Sequence, residues 1–348
     1  MAMKKSTRRL IGAIGGLTAL TALCGGPASA SVPVDLRVAS DVEGNLADVR
    51  QYVPQTTTIK TYAGDDCFDP TPPIKQSSGA SYPQSSPTML SAIAEASEVV
   101  PALQPLRVSD ADFTSFGALS VCQINVKTPP GFFFLKSNHQ GLMVGSDLFT
   151  LQGGEDLLAY RTPPDFSADE ELELTAPTRT APGVPVTVNV RAYTTTLQPR
   201  AGATVTGGDA PVLTGANGNA TVTFSAAGAH TLVARGDYND MPSRTLSVCV
   251  APDPAKACPS ERGREILGSD EAEGIKGTDG PDVIRPRAGN DRIKARGGAD
   301  RIISKGGGSD FVNCGGGKDV VKRDSKDKLA KNCEQAARKK KGKGGGKK

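Results

Sequence analysis

Gly289-Asn290-Asp291-Arg292-Ile293-Lys294-Ala295-Arg296-Gly297-Gly298-Ala299-Asp300-Arg301-Ile302 repeats itself after nine residues. Gly289, Asp291 and Ile293 return as Gly298, Asp300 and Ile302. Working outward, Gly280, Asp282 and Ile284 keep the same beat before this stretch. Gly308, Asp310 and Val312, then Gly317, Asp319 and Val321, keep it afterwards, with one residue inserted between Asp300 and Asp310. Glu273 and Ile275 carry the acidic and aliphatic positions one step earlier. Each period gives about six residues of turn and three of strand, so two periods close one coil. Side chains eighteen residues apart then stack on one edge: Asp282 with Asp300 and, across the insertion, Asp291 with Asp310 and Asp300 with Asp319. The aliphatic series from Ile275 to Val321 fills a thin interior. This pattern predicts a parallel β-roll.

Carboxylates repeated at the turns, beside glycine turns that can offer carbonyl oxygens, suit calcium, which takes about six to eight oxygens at ~2.3–2.6 Å. Asp282, Asp291, Asp300, Asp310 and Asp319 are therefore the candidate ligands, and calcium the expected ion. The block resembles the haemolysin-type calcium-binding nonapeptide repeats of exported toxins and surface proteins. Pro286-Arg287 and Ala295-Arg296 replace the glycine pair of that pattern, and Arg285, Arg287, Arg292, Lys294, Arg296 and Arg301 lie among the ligands. Residues 261–334 hold 16 basic and 14 acidic groups. The alternative is thus a metal-free coil in which these cations pair with the carboxylates.

The first thirty residues read as a signal peptide. Lys4, Lys5, Arg8 and Arg9 form a cationic start, Leu10 to Leu23 an apolar stretch, and Ala28-Ser29-Ala30 a cleavage site before Ser31. No other segment is long and apolar enough to span a membrane, so an extracellular or cell-surface location is expected. Six cysteines then remain, an even number in an exported chain. Fifteen connectivities are open, and the nearest-neighbour set Cys67–Cys122, Cys249–Cys258 and Cys314–Cys333 keeps each pair within one unit.

Clusters of Pro, Gly and Asp near 163–167 and 252–264 divide the chain into units over 31–165, 168–250 and 261–334. A disordered basic tail over 335–348 follows. In the first unit, Ser86-Pro87 predicts a helix start between strands, giving an α+β unit. Phe132-Phe133-Phe134-Leu135-Lys136-Ser137-Asn138-His139-Gln140-Gly141 through Asp156-Leu157-Leu158-Ala159-Tyr160 resembles the transcobalamin-like C-terminal domain, a family of unknown function in exported bacterial proteins. That likeness implies small-ligand capture of a corrinoid type, with Phe132, Phe134 and Tyr160 as candidate contacts. The second unit has short β-branched segments such as Val186-Thr187-Val188-Asn189-Val190 and His230-Thr231-Leu232-Val233-Ala234. With Thr214-Gly215-Ala216-Asn217-Gly218-Asn219-Ala220-Thr221-Val222-Thr223-Phe224, it resembles bacterial immunoglobulin-like domains, which implies a β-sandwich spacer. The fold class is mainly β and multidomain.

The formal charge of +4 falls to zero without the signal peptide. The seven cations of the tail then leave the folded body at about −7. Nucleic acid is a poor partner for such a body. The tail itself suits an anionic cell-wall polymer. The two histidines, His139 and His230, read as surface residues. No G-x-S-x-G elbow is present, and Asp65-Asp66 reads as a solvated loop rather than a paired catalytic carboxylate. The expectation is a calcium-binding, non-catalytic binding or adhesion protein and not an enzyme. A secreted hydrolase with its site in the first unit is the rival.

Overall fold

The structure, a computed structural model, describes residues 31–66, 73–111, 113, 117–125, 127, 133–142, 145–162, 170–237 and 240–333. The signal segment, Cys67, Phe132, the 163–167 boundary and the tail lie outside these residues. The chain is mainly β, in several sheets. Among the described residues no helix is long and apolar enough to cross a membrane.

The largest sheet has nine strands. In order these are Gln140–Gly141, Phe133–Ser137, Asp156–Arg161, β1 (Val32–Ser40), β2 (Gly44–Val53), Glu265–Leu267, Val283–Arg285, Arg301–Ser304 and Val320–Arg323. Its first half belongs to the N-terminal unit. There β1 and β2 pair antiparallel, Ala39↔Asn45 to Val32↔Val53, and β1 runs parallel to Asp156–Arg161. The helix α1 (Met89–Val99) covers one face of this half. Leu90, Ile93 and Ala96 pack with Leu36, Val38, Val49 and Leu157 in one buried cluster; each Leu, Ile or Val among them contributes roughly 1.5–3 kcal/mol by leaving water. The helix is capped by Thr88, whose side chain accepts from Ser91 N–H at 3.1 Å, rather than by the expected Ser86. Thr88 is β-bridged to Thr150, and Pro87 C=O accepts from Leu151 N–H, so the chain is still extended at 87–88.

The second half of the sheet is a stack of coils. Glu265–Leu267, Val283–Arg285, Arg301–Ser304 and Val320–Arg323 lie parallel at register offsets of eighteen or nineteen residues, as in Ile266↔Ile284, Ile284↔Ile302 and Ile302↔Val321. The intervening strands Arg292–Lys294, Phe311–Asn313 and Lys328–Leu329 form a second parallel sheet, Ile293↔Val312↔Leu329. Ile266, Ile275, Ile284, Ile293, Ile302, Val312 and Val321 are buried between the two, joined by Tyr52 of β2. The first coil strand pairs parallel with β2 through Arg50↔Ile266 and Gln51↔Leu267. The N-terminal unit therefore caps the coils through a shared sheet.

Between these halves in sequence, Glu171–Thr175, Val186–Tyr193, Leu197–Pro199 and Asn219–Val222 make one sheet. Arg179–Thr180, Leu246–Val250, Gly228–Arg235, Thr204–Thr206 and Val212–Leu213 make another. Leu172, Val188, Val190, Val205, Phe224, Leu232 and Val248 fill the space between them. The alternation along Val186–Tyr193, buried at every second residue up to Ala192, is the half-buried strand pattern.

Candidate metal centre

The coil turns carry the periodic acidic residues inward, and these are buried: Asp291 is 2% exposed, Asp300 and Asp310 1%. They stack as two ladders. In the first, Arg264 N–H donates to Asp282 Oδ1 at 2.7 Å, Asp282 N–H to Asp300 Oδ1 at 2.8 Å, and Asp300 N–H to Asp319 Oδ1 at 3.0 Å. In the second, Glu273 N–H donates to Asp291 Oδ1 at 2.9 Å, Asp291 N–H to Asp310 Oδ1 at 2.9 Å, and Asp310 N–H to Asp327 Oδ1 at 3.1 Å. Each carboxylate thus satisfies a turn amide of the preceding coil. The five expected positions sit on these ladders, three on one and two on the other.

The second carboxylate oxygen divides the rungs into two kinds. Four residues before Glu273 stands Ser269, whose hydroxyl and N–H both donate to that carboxylate. Four residues before Asp282 stands Thr278, whose N–H reaches Oδ2 at 2.6 Å and whose hydroxyl reaches Oδ1 at 2.8 Å. The same place before Asp291, Asp300, Asp310 and Asp319 is held by Arg287, Arg296, Gly306 and Gly315. All four are in the left-handed region, at φ +72°, +77°, +103° and +84°. In these turns Oδ2 of Asp291, Asp300 and Asp310 is buried and takes no hydrogen bond among the described residues. A buried carboxylate oxygen without a donor calls for a proton or a cation.

The electrostatics agree. Burial, with the carboxylates of Glu273 and Asp310 on adjacent rungs, pushes Asp291 up to about 8. Burial, with Asp282 and Asp319, pushes Asp300 up to about 7. Asp310 and Glu273 are raised by burial as well. The interleaved cations do not neutralise them. Arg285 pairs with Glu265, Arg296 with Asp279 at 2.7 Å, and Arg287 with Glu95 and Glu98 of α1. Among the described residues none of Asp282, Asp291, Asp300 or Asp310 takes a Lys or Arg side chain as an ion-pair partner. Backbone amides pair with Oδ1 of every ladder aspartate, while the ion pairs of Arg285, Arg287 and Arg296 run to other acids.

Glycine in the turns answers to close stacking. Gly317 lies at φ +124°, and a Cβ there would come within 1.6 Å of Gly298 O. Among the described residues no three His, Cys, Asp or Glu side chains converge as a ready metal cluster. The donors here are single carboxylate oxygens, one per coil, beside turn carbonyls. Sequence reasoning missed Asp327, because the spacing from Asp319 drops to eight. It also missed the closing role of Ser269 and Thr278, visible only as a hydroxyl four residues before the acid. Ser31 Oγ adds a further hydrogen bond to Glu273 Oε1 at 2.9 Å.

Cys249–Cys258 and Cys314–Cys333 are bonded, and Cys122 is disulfide-bonded. Phe134 and Tyr160 are register partners across neighbouring strands. Tyr160 is buried against Ala39, Leu158 and Met241, while Phe134 borders a cleft of about 630 Å³ shared with Lys136, His139, Tyr193 and Arg200. His139 is not the plain surface residue expected. Its ring stacks on Tyr193 at 3.7 Å and its Nδ1 lies 3.2 Å from Glu171 Oε2, where the first and second units meet. Asp66 is buried and accepts from Ser109 Oγ at 2.7 Å, while Asp65 is exposed, so the two do not form the solvated loop expected or a paired site.

No protein-family model, curated protein or solved structure matches the chain.

Proposed function

We propose that the chain is an exported, non-catalytic binding protein of the cell surface or its surroundings. In this reading a transcobalamin-like α+β unit and an immunoglobulin-like sandwich precede a parallel β-roll that takes calcium. The observation that carries it is the set of buried, donorless Oδ2 atoms on Asp291, Asp300 and Asp310. The N–H groups of Ser269 and Thr278 satisfy the second oxygen at Glu273 and Asp282, so the calcium-competent turns are the later ones, at Asp291, Asp300, Asp310 and Asp319. There the carboxylates and turn carbonyls would hold the ion, which supplies charge neutralisation between successive coils. A basic tail resting on an anionic wall polymer would keep the protein outside the cell.

The test uses the whole mature chain, since β2 supplies the cap of the coils. Thermal unfolding is followed with calcium, and with magnesium as control. A calcium-specific rise of the midpoint, lost in Asp291→Asn/Asp300→Asn, is expected. No shift up to about 10 mM, beyond the weak range of extracellular calcium modules, overturns the calcium assignment. A metal-free coil is the second reading, favoured by the fact that Oδ1 of every ladder aspartate already accepts an amide. For the first unit, small-ligand capture rests on the cleft beside Phe134, and an absorbance titration with cobalamin tests it.

A further inference from the structure

We infer that the outer face of the three-stranded coil sheet docks a linear, phosphate-bearing polyanion of the cell envelope. Ile293, Val312 and Leu329 point inward in register, so their flanking residues point out. Arg292, Phe311 and Lys328 form one outward column, and Lys276, Lys294 and Asn313 the next. No outward position in these columns is a carboxylate. With strands ~4.8 Å apart and outward residues ~6.6 Å apart along a strand, Lys276, Arg292 and Lys294 attach within about 8 Å of one another.

Three other coil arginines are matched with acids: Arg285 with Glu265, Arg296 with Asp279, Arg287 with Glu95. Lys276, Lys294 and Lys328 are exposed and take no carboxylate among the described residues. Arg292 lies over the Phe311 ring at 5.2 Å, which braces its guanidinium on the sheet. Lys276 also lines a cleft of about 560 Å³ against the first unit, where Arg50 and Arg264 are paired with Asp35 and Arg296 with Asp279, so the unmatched cations are those on the sheet itself. Like charges this close repel one another, and a chain with regularly repeated anions relieves that repulsion. A phosphate polymer of the envelope is favoured over nucleic acid by the acidic body and by the export reading, on which this assignment of the source rests. The site is built from residues of the folded coil and includes none of residues 335–348.

The experiment measures binding of long-chain inorganic polyphosphate to the mature chain by fluorescence anisotropy from 20 to ~300 mM salt. Lys276→Gln/Arg292→Gln/Lys294→Gln is compared with Lys305→Gln/Lys322→Gln/Lys326→Gln, an equal charge loss elsewhere on the coil, and with a chain ending at residue 334. Lys276→Gln/Lys294→Gln, which keeps the Arg292 stack, serves if the triple variant is unstable. The expected result is at least a tenfold loss and a salt slope flatter by roughly two for the face variant. Less than twofold loss is expected for the other triple, with most binding kept by the shortened chain. Equal losses in both triples, or loss of all binding with the tail, would overturn the site. Double-stranded DNA bound as tightly as polyphosphate would overturn the partner. Calcium stabilisation is read separately, so failure here is distinguishable from failure of the calcium roll.

Discussion

Arg287 sits in the left-handed region at φ +72° and donates from its guanidinium to Glu95, 192 residues earlier on α1. A turn position that favours glycine is thus held by a residue that ties the coils to the N-terminal unit. Arg296 adopts the same conformation at φ +77° but pairs with Asp279 in the open, with the side chains 42% and 50% exposed.

The two arginines should therefore respond oppositely to glycine. Arg296→Gly relieves backbone strain and loses only a surface ion pair, so it should stabilise by roughly 0.5–1 kcal/mol. Arg287→Gly relieves similar strain but strands the largely buried Glu95, and should destabilise by about 1–3 kcal/mol. Urea unfolding of both variants checks the signs.

Without calcium, stability should fall as pH rises from about 4 to about 8. Asp291 and Asp300 hold protons in the folded state up to about 8 and 7, whereas the unfolded chain releases them near the ordinary carboxylate value. The folded state then binds more protons across that window, so its advantage is present below it and is lost on ascent through the folded values. Unfolding midpoints at pH 5 and pH 8 should converge in Asp291→Asn/Asp300→Asn, and calcium should restore the wild-type midpoint at pH 8.

Glu171 meets Arg37, Lys136 and His139 at the boundary of the first two units. Against its own burial, the hydrogen bond from His139 and the charges of Arg37 and Lys136 hold it below the usual carboxylate range. Its contribution is present above that range and is lost as pH falls through the lowered value. Glu171→Gln leaves Arg37 buried without its anion and should destabilise by about 3–5 kcal/mol. Denaturant unfolding at pH 7 measures this, and a loss under 1 kcal/mol would remove Glu171 as the link between the units.

Gly317→Ala and Gly316→Ala separate close stacking from mere flexibility. A Cβ at Gly317 collides with Gly298 O, whereas one at Gly316 meets nothing within 4 Å. The first should cost about 2–4 kcal/mol, the second nothing or a slight gain. Equal effects would mean that the turns yield.

The nine-residue beat made the coil strands, their eighteen-residue stacking and the carboxylate positions legible, because each follows from local periodicity. The pairing of Arg50 and Gln51 with Ile266 and Leu267 was not legible: a two-residue parallel register between distant segments leaves no local mark. The Thr88 cap was displaced from Ser86 by a tertiary β-bridge to Thr150. His139 read as a surface residue because its partners Glu171 and Tyr193 come from another unit. The contrast between Ser269 or Thr278 and the left-handed Arg287 or Gly306 was present in the residues. Its meaning needed the geometry of the turn.

The seam between β2 and Glu265–Leu267 also imposes an order on biogenesis. Chain synthesis delivers β2 more than two hundred residues before its neighbour. Until that neighbour arrives, the N-terminal unit presents an open hydrogen-bonding edge that any extended peptide can join. Once Glu265–Leu267 docks, each later turn finds a finished template, and the coils can add one after another from that end. The first unit is thus the starter block of the assembly, and a protein emerging in that direction folds its repeats in the order in which they appear.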